Sequence, residues 1–332
     1  MTKLYKNSRD IKYNRNISER ILFPFPQLNY KTGGMAISGG LTIITSGSDN
    51  GKSTFTMQTA ADAIKQGYKV LAVFGEHSEE SAIDILYKQI TPFSQDWNIE
   101  KYKTKKGRIT NIGTNFISNK EEKTARELYD NNLFIYNIEN SLNIMNILKA
   151  FKDAKEQNGC SLFILDNIMQ IDLETHDTNR EFTDLTEKLR LFSLRNKIHI
   201  ILVAHMKKKS ERDLVRFDLD DIAGTSNLPN KALTVLSLTR LDKVNKDSRH
   251  YKNLATRLSS VENIDIEQCD NLIEILKCKW NGLGFIGLKY NKYTKCYEQV
   301  AEMSSEEKTV VENVKMVQQD LLTKPDDLRD IF

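Results

Sequence analysis

The sequence predicts an α/β fold whose sheet is mostly parallel, covered by helices on both faces and finished by antiparallel strands at its C-terminal end. Three observations carry this. Short apolar runs alternate with stretches of helical periodicity along most of the chain. The first run, LTIITS, ends in a Gly-bearing turn that opens a helix. The last two runs, NLIEILKCKW and GFIGLKYN, follow each other with no room for a long helix between them, so they add antiparallel.

Taken in order, residues 1–24 read as a basic N-terminal segment. Residues 1–31 hold seven Lys/Arg against two Asp/Glu, and two readings stay open: a clasp docked on a neighbouring subunit, or a frayed end. FPFPQLNYKTGG follows, and Pro24, Pro26, Gly33 and Gly34 argue for irregular structure there. The domain spans 25–300. LTIITS (41–46) is its first buried strand, and KSTFTMQTAADAIKQG is a helix closed by Gly67. KVLAVFGE (69–76) is the next strand, with helical SEESAIDILYKQI behind it. Residues 92–120 have no clean period and form a surface insertion. Helix EEKTARELYD, strand NLFIYN, helix SLNIMNILKAFKDAKEQNG, strand SLFILDNI, helix REFTDLTEKLRLFSLRN and strand HIILVAH then complete the parallel part. After strand ALTVLSLTRLD comes a charged insertion, 243–270, and then the two closing strands. Residues 301–332 read as a polar helix and an acidic tail, since 302–332 carry eight acids against four bases.

At 332 residues the chain buries a sizeable core, and its net charge of +3 does not by itself announce a nucleic-acid partner. It has no run of about 18 apolar residues and MTKLYKNSRD lacks the apolar stretch of a secretory signal, so no membrane contact and a cytoplasmic setting are expected. Cys160, Cys269, Cys278 and Cys296 form no CxxC pair and are read as reduced thiols.

The chemistry starts at TSGSDNGKST. A strand that ends in such a turn and opens a helix aims backbone N–H groups and the helix N-terminus at one point, where an anion is stabilised. Ser46, Gly47, Ser48, Asp49, Asn50, Gly51, Lys52, Ser53 and Thr54 are therefore the candidate nucleotide-binding residues. Lys52 would reach the β and γ phosphates and the Ser53 hydroxyl would ligate Mg²⁺. Ser46 stands where this motif has its first glycine; at a strand end φ need not be positive, so the serine is compatible. Asp166, at the C-terminal end of SLFILDNI, is the second metal candidate. Glu76, ending the second strand, is the candidate base that orients water, while Glu79 and Glu80 suit the first turn of the next helix. His205 ends HIILVAH beside them as a candidate nucleotide sensor.

These pieces in this order resemble the RecA-like ATPase domain of the hexameric replicative DNA helicases, the DnaB type with its phage and mitochondrial Twinkle relatives. The resemblance runs from about residue 25 to 290. It implies a P-loop fold of the RecA kind, ATP and Mg²⁺ as cofactors, and a homo-oligomeric ring, normally a hexamer, around single-stranded DNA. It assigns the catalytic glutamate to Glu76, the metal aspartate to Asp166 and the γ-phosphate sensor to His205. Lys207 and Lys208, just past the sensor, and Gly224 and Asn230, in a turn resembling the family's second DNA-binding loop, become DNA candidates. LKCKWNGLGFIG resembles the strand whose Lys-x-Arg reaches into the neighbour's ATP site. Lys277 matches the lysine, whereas Lys279 replaces the arginine and lacks its bidentate fork, implying slower hydrolysis. In the DNA loop, Ala223 and Asn230 stand where relatives carry a basic residue and a Gln.

Relatives also carry an N-terminal primase or collar domain, which the few residues ahead of this fold cannot form. A primase, a polymerase or a single-strand-binding protein is then expected in trans. DDLRDIF is either a plain acidic tail or an acidic-aromatic recruiting peptide. The function expected is an ATP-dependent replicative helicase of phage or plasmid-like replication. A RecA- or KaiC-type ATPase and a non-catalytic partner of a helicase ring remain as alternatives.

Overall fold

The computed structural model describes residues 19–90, 98–103, 109–114, 117–172, 178–207, 217–223 and 227–300. The lead-in consists of β1 (Arg20–Ile21), α1 (Pro26–Thr32) and β2 (Met35–Ala36), with β1 and β2 paired antiparallel. The stretch expected to be irregular is thus a helix. Its two breakers occupy the ends: Pro26 stands at the first turn, where its missing N–H costs nothing, and Gly33 caps the C-terminus at φ 75°. Phe25 stacks on Phe55 at 5.7 Å and Phe23 lies 6.4 Å from the same ring. Those contacts tie the lead-in to the helix that begins the phosphate loop's far side.

The main sheet takes β3 (Gly40–Ser46), β4 (Val70–Phe74), β7 (Leu133–Ile135), β8 (Leu162–Asp166), β9 (His199–His205), β10 (Thr234–Arg240), β11 (Asn271–Cys278), β12 (Gly284–Asn291) and β13 (Cys296–Gln299), in the order β13-β12-β11-β10-β3-β9-β8-β4-β7. The strands from β10 to β7 run parallel, and β11, β12 and β13 add antiparallel. Both halves of the expected sheet are therefore present. β5 (Asn98–Lys103) and β6 (Ile109–Thr114) form a separate antiparallel hairpin inside the 92–120 stretch.

Successive strand residues point to opposite faces, and each face has its own core. Ile44, Ala72 and Ile164 pack with α2 (Lys52–Lys65), α3 (Glu79–Ile90) and α4 (Asn119–Tyr129). Ile43, Val73 and Leu165 face the other way, onto α5 (Ile144–Asn158) and α6 (Thr178–Asn196). The short α7 (Asn227–Lys231) precedes β10, so Asn230 lies in a helix where a turn was expected. Within the charged stretch 243–270, α8 (Arg249–Val261) is capped by Ser248, which accepts from the Tyr251 N–H. Tyr251, Leu254 and Leu258 bury themselves against Leu272 and Phe285, so this stretch covers the antiparallel strands with a third core. All four cysteines are unpaired. Among the described residues no helix is long and apolar enough to cross a membrane.

Candidate functional site

The parallel strands carry their functional residues out at the same edge because their registers align. Ser46 is level with His205 across β3 and β9, and Phe74 with Asp166 across β4 and β8. Ser46 retains extended strand geometry, while the left-handed turns fall on Asp49 (φ 55°) and Gly51 (φ 86°). Glycine at 51 is obligatory for a second reason: a Cβ there would overlap the Tyr297 hydroxyl. Gly51 passes the chain directly into α2, whose N-terminal amides open on a cavity of about 990 Å³.

Lys52 is buried, and its ammonium donates to the Ser46 hydroxyl at 3.0 Å, the Gly47 carbonyl at 2.9 Å and the Ser46 carbonyl at 3.5 Å. Burial lowers its pKa, and Asp166, Glu76 and Asp49 pull it back up. Ser46 and Gly47 thus sit behind the cavity rim as acceptors for the lysine, whereas Ser48 to Thr54 line it. Asn50 lines the cavity but also braces the loop: its Oδ1 accepts from the Arg240 N–H at 3.0 Å, and its carbonyl accepts from Asn271 Nδ2 at 3.1 Å.

Asp166 is almost fully buried, which raises its carboxyl pKa; hydrogen bonds from the Ser53 and Thr56 hydroxyls and the charge of Lys52 act the other way. The Thr56 bond measures 3.2 Å. Two hydroxyls and a buried carboxylate make a set of hard oxygen donors short of positive charge, which fits a small divalent cation. Among the described residues no group of three or more His, Cys, Asp or Glu could hold a metal alone.

Next to Asp166, the Asn167 amide donates to Glu76 Oε1 at 2.6 Å and lies 3.0 Å from His205 Nε2; Glu76 and His205 are themselves 3.4 Å apart. Glu76 and His205, both chosen from the sequence, thus form one cluster with Asn167, which was not; the expected strand 69–76 stops at Phe74, so Glu76 stands in the turn after β4. Across the cavity, Tyr290 and Tyr297 from the antiparallel strands stand 5.3 Å apart between ring centres, with Arg240 and Asn271 beside them. Sequence reasoning missed Thr56, Asn167, Arg240, Tyr290 and Tyr297. Thr56 was within reach, one helical turn after Ser53; the tyrosines carry no local motif.

The model of the family described as "DnaB-like helicase C terminal domain" matches residues 21–299. The chain belongs to that family. A DnaB-like domain is the nucleotide-binding, hydrolytic motor of a replicative DNA helicase, so the helicase reading stands over the RecA or KaiC one. Among solved structures, the ATPase domain of G40P superposes with a TM-score of 0.66 at 14% identity, covering 86% of this chain and 94% of that one. A DnaB-like replicative helicase, solved for its interactions with primase, gives 0.62 at 16%, covering 84% of this chain and 61% of that one. The mixed sheet with its antiparallel end is the RecA-like fold of these DnaB-like domains.

The remaining candidates lie elsewhere. Lys277 donates to the Pro229 and Asn230 carbonyls at 2.6 and 3.1 Å, and partial burial lowers its pKa, with Lys279 adding to the effect. It and the exposed Lys279 are at the end of β11 remote from the cavity, roughly 20 Å along the strand from Asn271. Neither reaches its own chain's site. Lys207 Nζ donates to the Asp220 carbonyl at 2.7 Å. Lys208 and Gly224 lie outside the described residues, as do 1–18 and 301–332, where the basic segment and the acidic tail fall.

Proposed function

We propose that this DnaB-like domain assembles as a closed ring, normally of six subunits, and moves along single-stranded DNA by hydrolysing Mg·ATP at its subunit interfaces. The convergence of Lys52, Ser53, Asp166, Glu76 and His205 on one cavity edge carries the reading. The loop amides and Lys52 hold the phosphates, and Ser53 and Asp166 hold Mg²⁺, which when bound neutralises phosphate charge. Glu76 orients the attacking water and takes its proton; His205 contacts the γ-phosphate. Because Lys277 and Lys279 are remote from their own cavity, they act on a neighbour's, and a head-to-tail contact that closes gives a ring. Lys207, Lys208, Gly224 and Asn230 face the DNA, with lysine ammonium groups on phosphates.

The setting we favour is phage or plasmid-like replication in a cytoplasm. The DnaB-like relative solved for its interactions with primase supports a primase as partner in trans; a polymerase and a single-strand-binding protein are further candidates for the acidic tail. The test is ATP turnover with and without single-stranded DNA, alongside mass in solution with Mg·ATP. DNA-stimulated turnover by a hexamer is expected, and Glu76→Gln should abolish turnover while nucleotide still binds. A monomer without turnover would refute the motor, and an active Glu76→Gln would refute the base.

A further inference from the structure

Asn167 has no assigned role, yet its side chain is the only described group that bonds both Glu76 and His205. Its orientation is fixed by donor and acceptor counting. Oδ1 accepts from the Met169 backbone N–H at 2.8 Å, so the amide nitrogen must face the other way. That nitrogen has two hydrogens. One goes to Glu76 Oε1 at 2.6 Å, and the other points at His205 Nε2 at 3.0 Å. A donor facing Nε2 makes that ring nitrogen an acceptor, so the imidazole carries its proton on Nδ1. Asn167 itself is buried, 1% exposed, and directly follows Asp166 on the same strand end.

Two consequences follow. His205 Nε2 cannot accept from Asn167 and donate to a phosphate oxygen at once, so a phosphate contact through Nε2–H breaks the amide bond to His205. The freed amide is then held by Glu76 and Met169 alone, and the position of Glu76 becomes dependent on whether His205 is engaged. On its other side His205 is bonded to the segment beside the DNA candidates: its carbonyl accepts from the Ala223 N–H at 2.8 Å, and Lys207 N–H donates to the Asp221 carbonyl at 2.7 Å. Hydrogen bonds joined by short covalent stretches, the His205 side chain and the backbone of 221–223, thus connect Lys207 and Ala223 through His205 and Asn167 to Glu76.

We propose that Asn167 is a positioning residue that links the His205 sensor to the Glu76 base, so that nucleotide and DNA occupancy set how well Glu76 aims its water. The inference rests on Glu76 being the base, but its test is separate. Asn167→Asp keeps the shape and keeps an Oδ1 for the Met169 N–H, and loses both amide donors. Aspartate caps that turn as well as asparagine does, but it also sets a buried carboxylate against Glu76, so the neutral Asn167→Ser is the variant that separates loss of the donors from added charge.

The experiment measures kcat, KM and single-stranded-DNA stimulation for the full chain carrying Asn167→Asp or Asn167→Ser, together with equilibrium binding of a fluorescent ATP analogue. In both variants kcat should fall on the order of 10- to 100-fold, the cost of a base displaced by about an ångström. Stimulation by DNA should shrink towards none, while analogue affinity stays within about threefold, since Asn167 holds no part of the nucleotide. The serine variant, small and neutral, serves if buried aspartate prevents folding. Either folded variant with wild-type kcat and wild-type DNA stimulation overturns the proposal. So does a loss confined to KM and analogue binding. An active Glu76→Gln would instead remove the base assignment, whichever way Asn167 behaves.

Discussion

His199 gives the fold a pH dependence that can be worked out in advance. It starts β9 in full burial, accepting at Nε2 from the Thr42 hydroxyl at 2.9 Å and donating from Nδ1 to the Ala36 carbonyl at 3.1 Å. A carbonyl can only accept, so the tautomer is fixed and neutral. Burial pushes the pKa from 6.5 down to about 4, with Arg20 adding to the fall and the Ala36 bond opposing it. The unfolded chain takes up a proton below pH 6.5 and the folded chain does not until about 4. Within that window stability therefore drops as pH falls, and below it the dependence ends. Integrated from pH 7 to pH 5, the loss is about 2 kcal/mol. Urea unfolding of the wild type and of His199→Gln at both pH values reads it out. The variant is expected to be less stable at pH 7, by about 1–3 kcal/mol for the disturbed Ala36 and Thr42 bonds. The gap should close by about 2 kcal/mol at pH 5, because glutamine takes up no proton. A gap that stays constant between the two pH values would refute the reasoning.

Gly51→Ala should abolish nucleotide binding, since alanine is strained at φ 86° and its Cβ meets the Tyr297 hydroxyl. Adding Tyr297→Ala relieves the overlap but not the backbone, so calorimetric stability should recover only in part. Thr56→Val keeps the shape and deletes a hydroxyl from buried Asp166; such a bond to a charged group is worth about 1.5–3 kcal/mol. The loss should appear as a larger drop in nucleotide affinity, relative to wild type, with Mg²⁺ present than without it, read by fluorescence titration. Lys279→Ala should cut turnover on the order of 10³-fold, by analogy with a trans-acting finger, with assembly intact. Mixing it with Lys52→Ala subunits should restore part of the activity if Lys279 acts across an interface, and Lys279→Arg should exceed wild type.

The parallel sheet, the phosphate loop, the strand-end residues Asp166 and His205 and, in the turn after β4, Glu76 were legible because each is encoded locally. An apolar run fixes a strand, its last residue fixes an edge, and Gly51-Lys52-Ser53 fixes a turn into a helix. Residues 23–34 misled because two prolines and two glycines look like breakers wherever they stand. Here Pro26 starts a helix and Gly33 ends it. The stretch 243–270 reads as a charged insertion because α8 buries only one face, and the apolar partners of that face, Leu272 and Phe285, come later in the chain.

The sequence by itself determined the α/β order, the phosphate-binding turn and the residues at or just past three strand ends, since each depends on neighbours within a few positions. Only the tertiary structure decided how those residues meet. Asn167 between Glu76 and His205, Asn50 clasped by Arg240 and Asn271, and Tyr297 over Gly51 each join elements tens to hundreds of residues apart. Lys279 is the counterpart: β11 runs antiparallel to β10, so its end carries the lysine away from its own cavity. Strand direction in the assembled sheet, which no local pattern encodes, is the physical reason that Lys279 lies far from its own cavity.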